Sequence, residues 1–439
     1  MNEKELQKNE SETIIEKKES LLQEGGNYIK KLGPGIITGA ADDDPSGITT
    51  YSQAGAQYGT SLIWLAAWIY PLVATIQEMC ARIALVTGRG LASNIKRNYS
   101  KKVLYVCTIL LFFANTLNIG ADLGAMSKAI QLIVPNASFI FLVIFVGLAG
   151  LLLEILVPYR KYSKYLKWLV LAVFSYILTG LIIHMDWSAL LHDGLIPQIE
   201  FSKSQILLIT GILGTTISPY LFFWQTSQEI EEEVSRGQTT IASRKGTNPK
   251  EIKEMRADIW IGMFLSNLVM FFIIAVCANT LFANGITNID TAADAARALR
   301  PLAGQWATLL FAIGIIGTGL LAIPILAGSA SYAISESFGW KEGLYRKFSK
   351  AHAFYGVIAV SIIIGILINF IGIDPIKALL YSAIANGIVA PVILVFIVKI
   401  SSSKKIMGEY NNKPITKFLG WTATILMGIT AIAAIYSLF

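Results

Sequence analysis

Charge is what this 439-residue chain has least of. Asp, Glu, Lys and Arg make up 15% of it, against 54% hydrophobic residues. A soluble domain carries about 25% charge, so water is excluded as the surroundings of most of the chain. Histidine is rarer still: His184, His192 and His352 are the only three. None falls in the sixth apolar segment, which excludes a histidine relay there. Cys80, Cys107 and Cys277 lie far apart inside apolar runs. That spacing excludes a cysteine metal motif and reads as three small buried hydrophobes. No HExxH, no Gly-x-Ser-x-Gly elbow and no Ser/His pairing occurs in the apolar runs, so an enzyme is not expected. No loop is long enough for a signalling domain, which counts against a sensor that binds a cation without passing it.

What is present is a series of apolar runs of the length that crosses ~30 Å of hydrocarbon. Eleven are read, at 34–59, 61–86, 103–133, 138–157, 166–185, 206–228, 258–282, 305–334, 353–371, 376–399 and 416–438. Residues 1–31 are polar and charged and read as a cytosolic tail rather than a cleaved signal. Basic residues fall on alternate loops. One side holds groups such as Arg89 to Lys102, Arg160 to Lys167, Arg236 to Arg256, Lys341 to Lys350 and Lys399 to Lys417. The other holds only Lys203, Arg297, Arg300 and Lys377. The basic side is expected in the cytoplasm, with the N-terminus inside and the C-terminus outside. The net charge of +7 is then a topology and lipid-headgroup signal, not a nucleic-acid surface.

Two of the runs are interrupted. The first carries Pro45 and Gly47 near its middle, and the sixth carries Gly211, Gly214 and Pro219. Proline removes a donor and clashes with the preceding turn, so each run is expected as two half-helices around an unwound joint. The joints, Asp44-Pro45 and Ser218-Pro219, are five segments apart. That pattern predicts an all-α membrane protein with two inverted five-helix repeats, 32–185 and 206–399, and an eleventh helix at 416–439. In such folds the ligand sits between the unwound joints. An aspartate in a span costs on the order of 3 kcal/mol, and it is retained where it faces an ion path. Asp44 is therefore the leading ligand, with the freed carbonyls of Ala41 and Thr215 beside it: a hard-oxygen cation site. Asp44 can also cap the second half-helix through the N–H of Gly47 or Ile48, and the two roles can coexist. The stretch "AADDDPSGI" adds Asp42 and Asp43, whose roles stay open between lining the approach, pairing with a base, facing water and direct ligation.

The stretch "LGPGIITGAADDDPSGITTYSQAGAQYGTSLIWLAAW", followed by "RIALVTGRGLA", resembles the start of the NRAMP divalent-metal transporters. That family carries Asp-Pro-Gly-Asn in its first broken helix. The motif-level likeness covers about the first 95 residues; beyond that it is one of span pattern. It implies the amino-acid/sodium symporter-like fold of two inverted repeats, with a divalent cation at the midplane. The chain departs from the family at the ligands. It reads Asp44, Pro45, Ser46, Gly47 where the family has Asp-Pro-Gly-Asn, and Ser218, Pro219, Tyr220, Leu221 where the family has Met-Pro-His-Asn. Losing the thioether removes a preference for softer metals. Glycine and serine in place of asparagine and methionine are expected to enlarge the site around Gly47 and Ser218. A partly hydrated Mg²⁺ suits such a site, as does Mn²⁺, and these departures resemble the NRAMP-related magnesium transporter branch. Family members that move protons carry acids in the third helix. Here Asp122 can take one such place, and Asn118 or Ile119 falls where the second is expected. Uncoupled, potential-driven movement of Mg²⁺ or Mn²⁺ is the leading expectation. A proton-coupled Mn²⁺/Fe²⁺ importer is the alternative; a small-solute symporter on the same architecture is disfavoured by the acid at the joint.

Other positions have two readings. Glu78 and Arg82 are expected to pair across one helix turn. Gln53 and Gln57 either bond between helices or line an outer vestibule. Asn386 either donates to the ion path or bonds between helices. Gln225 and Glu229 are placed on an inner vestibule, Asp43 and Asp122 on the ion pathway, and Glu154 is read as structural. Trp64, Tyr70, Trp168 and Trp187 read as interfacial anchors. No cofactor is expected beyond the transported ion, and a monomer in the lipid bilayer of the cell membrane is expected.

Overall fold

A computed structural model describes residues 33–157 and 173–438. The expected tail, Arg160 to Trp168 and the start of the fifth segment lie outside them. The first apolar run forms α1 (Pro34–Asp42) and α2 (Pro45–Tyr58). Proline opens α2 where its missing N–H costs nothing, and Asp44 before it is extended, at φ −70° and ψ 172°. There follow α3 (Trp64–Thr87), α4 (Leu91–Asn98), α5 (Lys101–Ile133), α6 (Phe139–Leu156), α7 (Ser175–Ile182) and α8 (Trp187–Leu195). The sixth run breaks in the same way, into α9 (Lys203–Thr216) and α10 (Pro219–Ser235). The chain continues through α11 (Pro249–Thr280), α12 (Ala307–Phe338), α13 (His352–Ile368), α14 (Pro375–Ser401) and α15 (Pro414–Leu438).

Among the described residues, eight stretches are long and apolar enough to cross a membrane, and α13 is a shorter apolar helix. The first run is not among them: its halves are nine and fourteen residues long, and Asp42, Asp43 and Asp44 stand at its joint. α11 begins earlier than hydropathy suggests: Asn248 accepts from the N–H groups of Lys250 and Glu251, and Pro249 sits in the first turn. That cap carries the helix beyond its apolar stretch. The short helices α4 and α8 join spans and leave no mark in the hydropathy.

The two broken helices lie inside. α1 and α2 pack on α11, α9 packs on α14, and α5 runs between α12 and α14. α9 and α10 are almost wholly enclosed, whereas α6 and α15 leave most of their apolar length uncovered, as lipid-facing helices do. Small residues set the closest approaches. A Cβ on Gly214 would run into the Ala383 carbonyl and the Gly387 backbone, and one on Gly39 would meet the Gly262 backbone.

Candidate cation site

The two joints meet at Asp44, which is 1% exposed. Its Oδ1 accepts from the Gly47 N–H and the Ser46 hydroxyl, each at 2.7 Å, with the Thr215 hydroxyl 3.5 Å away. Its Oδ2 accepts from Asn118 Nδ2 at 2.9 Å, and the Tyr220 hydroxyl stands at 3.5 Å. One carboxylate thus touches α2, α5, α9 and α10. The capping role is present: Asp44 caps α2 through Gly47 rather than Ile48.

The carbonyls of Ala41 and Thr215 each accept from one hydroxyl. The Ala41 carbonyl accepts from the Tyr220 hydroxyl at 3.1 Å, and the Thr215 carbonyl accepts from the Ser218 hydroxyl at 2.7 Å. A carbonyl has two lone pairs, so each can accept a second contact. The Ser218 hydroxyl also donates to the Gly214 carbonyl at 2.5 Å. Its proton therefore serves the end of α9 rather than the centre of the site. Gly47 contributes an N–H to Asp44 and no side-chain oxygen. The expectation of extra space at Gly47 needs correction: a Cβ there would lie 3.2 Å from the Asp42 carbonyl and 3.3 Å from the Thr215 hydroxyl. Neighbouring atoms have closed in on the glycine.

Asp42 and Asp43 turn away from this set. Both aim at Ser266 of α11, whose hydroxyl lies 2.6 Å from Asp42 Oδ2 and 3.3 Å from Asp43 Oδ1. Asp122 is wholly buried on α5, one turn beyond Asn118. The contact of Asn118 with Asp44 settles which residue of α5 meets the joint. Among the described residues, no basic side chain acts on Asp42, Asp43, Asp44 or Asp122. Nor do three or more His, Cys, Asp or Glu side chains gather anywhere among the described residues. One carboxylate with carbonyls can hold a hard cation loosely enough to release it.

Gln225 and Glu229 form one chain on α10. Gln225 Nε2 donates to Glu229 Oε1 at 2.8 Å, and Thr38 of α1 donates to Gln225 Oε1 at 2.6 Å. The N-terminus of α1 is held by Asp258 of α11, which accepts from Gly33 at 3.1 Å and Gly35 at 2.6 Å. Asn386 is buried on α14, with neither amide atom bonded among the described residues, beside the close contact of Gly387 with Thr210.

Several partners differ from expectation. Glu78 keeps the expected one-turn ion pair with Arg82 at 3.9 Å, but its closer partners are the Arg256 guanidinium at 2.8 and 3.0 Å and the Trp260 N–H at 3.1 Å. Two parallel N–H groups give Arg256 the tighter contact. Arg82 also bonds to Asn412, ahead of α15. Gln53 bonds to Gln57 within α2 and to the backbone of Thr287 and Ile289. Glu154 is buried without a hydrogen-bond partner among the described residues. The sequence does not single out Ser266, Thr38 or Asp258. It offers Asn118, Ser46 and Tyr220 only as positions aligned with the family's motifs, without a contact to Asp44.

With this geometry in view, the model of the Nramp family (natural resistance-associated macrophage protein-like) matches residues 35–437. The chain belongs to the Nramp family. It is 24% identical over 413 residues to the divalent metal cation transporter MntH of Aeromonas hydrophila, covering 91% of this chain and 94% of that one. The MntH of Caldanaerobacter subterraneus is 25% identical over 407 residues, covering 90% and 89%. Among solved structures, a manganese transporter of Eremococcus coleocola superposes with a TM-score of 0.73 at 16% identity, over 93% of this chain and 87% of that one. MhsT, solved with L-phenylalanine, superposes at 0.57 and 11% identity, over 92% and 98%. At these identities the structures establish the fold alone: the Nramp chain has the all-helical fold of the symporter-like transporters, with its first and sixth helices broken. Nramp proteins are membrane transporters rather than enzymes, and the metal is their cargo, not a cofactor.

Proposed function

We propose that this Nramp-family chain carries a divalent cation, Mg²⁺ or Mn²⁺, across the cell membrane as a partly hydrated ion and without a coupled proton. The observation that carries the reading is Asp44, a buried carboxylate touched by four helices where both joints meet, with no basic partner among the described residues. The ligands are Asp44 and the carbonyls of Ala41 and Thr215; Gly47 and Ser218 stand at the two joints and add no side-chain donor to the ion, whose remaining positions are left to water. Pro45 and Pro219 keep the joints unwound. An all-oxygen set without thioether favours hard cations, and Mg²⁺ keeps several of its waters. The inner route runs past Gln225 and Glu229; Asp43 and Asn386 border the path. The chain works as a monomer of two inverted halves, 32–185 and 206–399, with its N-terminus in the cytoplasm and its C-terminus outside. A divalent ion gains about 4.6 kcal/mol per 100 mV, which drives uptake without a proton.

The test is ion flux into proteoliposomes, read with an internal Mg²⁺ dye and a pH dye, for the wild type and Asp44→Ala. Mg²⁺ entry without acidification, lost in Asp44→Ala, is the expected result. Mn²⁺ or Fe²⁺ entry with acidification, and none of Mg²⁺, would overturn it. That outcome is the second reading, a proton-coupled importer, and buried Asp122 on α5 is the observation that favours it.

A further inference from the structure

Asp122 lies wholly buried on α5, and neither of its carboxylate oxygens has a hydrogen-bond partner among the described residues. Asn118, four residues earlier, is equally buried. Its Nδ2 donates to Asp44 Oδ2 at 2.9 Å, and its Oδ1 has no partner among them. Residues four apart lie on one face of a helix, so the face of α5 that meets Asp44 also carries Asp122. Among the described residues, the one charged group that bears on Asp122 is Asp44. Buried carboxylates are retained when a cation or hydrogen bonds compensate them. Here three oxygens, two of them from a carboxylate, have no hydrogen bond among the described residues.

We propose that Asp122 and the Asn118 side-chain oxygen form a second station for a divalent cation. It lies one helical turn from Asp44, toward the Ile133 end of α5. This rests on the transport reading above. At ~1.5 Å per residue, four residues place Asp122 ~6 Å farther along α5 than Asn118. With the lysine-rich start of α5 in the cytoplasm, that is the entry side. Two protein ligands leave an ion there most of its water, as Mg²⁺ and Mn²⁺ accept. Asn118 links the stations: its amide N–H groups hold Asp44 while its oxygen serves the outer ion. Neighbouring stations let an arriving ion loosen the one ahead of it. A single deep site would hold its ion longer.

The experiment counts bound Mn²⁺ by equilibrium dialysis of the full chain in detergent, alongside Mn²⁺ flux and internal pH in proteoliposomes. The wild type is expected to bind two Mn²⁺ per chain at saturation. Asp122→Asn, which keeps the shape of the side chain, is expected to bind one and to need about tenfold more Mn²⁺ for half-maximal flux. Asp122→Glu restores a carboxylate and is expected to bind two, which separates a lost ligand from a damaged fold. One ion in the wild type, or two in Asp122→Asn, would overturn the second station. So would an Asp122→Asn chain whose only change is to remove acidification accompanying Mn²⁺ entry, since Asp122 would then be a proton carrier. A wild type that binds two ions but moves none would count against transport and leave the station standing.

Discussion

The two unwound joints look alike in sequence and differ in what they do. At the first, the residue before proline turns its side chain forward: Asp44 caps α2 through Gly47 and keeps its second oxygen for Asn118 and Tyr220. At the second, the residue before proline turns backward. Ser218 makes no cap to α10 and instead donates to the carbonyls of Gly214 and Thr215 at the end of α9. The first joint supplies charge, and the second satisfies exposed backbone and supplies a carbonyl. On the proposed reading, this pair of breaks holds one cation with a single acid, because the second joint needs none.

The sharpest way to break this comparison is to remove each side chain in turn. Asp44→Ala should abolish divalent flux in proteoliposomes, while Ser218→Ala should keep most of it and lose about 1 kcal/mol of stability, the worth of an ordinary hydrogen bond. Equal losses of flux would mean that the joints share the ligand role. Gly47→Asn, which writes the family's asparagine into the first joint, should lower stability by ~1–3 kcal/mol through crowding against the Asp42 carbonyl and Thr215. An unchanged melting temperature would show that the joint relaxes to admit a side chain. Asn118→Ala takes a supporting hydrogen bond from Asp44 and should weaken Mn²⁺ affinity by ~10–100-fold, read by competition with a Mn²⁺ indicator. Ser218→Met should tilt flux competition toward Mn²⁺ and Cd²⁺ over Mg²⁺, since a thioether prefers softer ions. No tilt would place Ser218 outside the ion's reach.

The smallest effect belongs to a control outside both joints. The Thr60 hydroxyl, 2.5 Å from Asp193 of α8, holds that carboxyl below the usual carboxylate range. Such a depressed group stabilises the fold above its unfolded pKa, ~3.9 for Asp, and the gain is lost as pH falls through the lower folded value. Thr60→Val should therefore cost about 1 kcal/mol or less in thermal melts at pH 7, with divalent flux unchanged.

Both breaks were legible in the sequence because proline and glycine in the middle of an apolar run take away the bonding that a continuous helix needs. The span limits followed hydropathy, except where a cap such as Asn248 extended a helix into water. What the sequence could not show was pairing between distant helices. α5 is apolar around much of its circumference, so no periodicity reveals that Asn118 faces the joint. Glu78 pairs with Arg82 one turn away, as its sequence spacing suggests, yet its closer partner, Arg256 with its forked geometry, lies 178 positions later. Ser266, Tyr220 and Asp258 look ordinary in their own segments and take on a role only where the fold delivers them.

The shortness of α1 has a mechanical consequence. Its nine residues make a rod of ~13.5 Å at 1.5 Å per residue, pivoted at Asp43, where regular helix bonding is interrupted. A tilt of ~20° would carry the Pro34 end through ~5 Å, close to one helical pitch, without disturbing α2. Asp258, the Thr38–Gln225 bond and the glycine contacts with α11 restrain that rod. The break therefore separates two tasks along one span: a fixed fulcrum that keeps the charge in place, and a lever arm fastened by a few polar stitches.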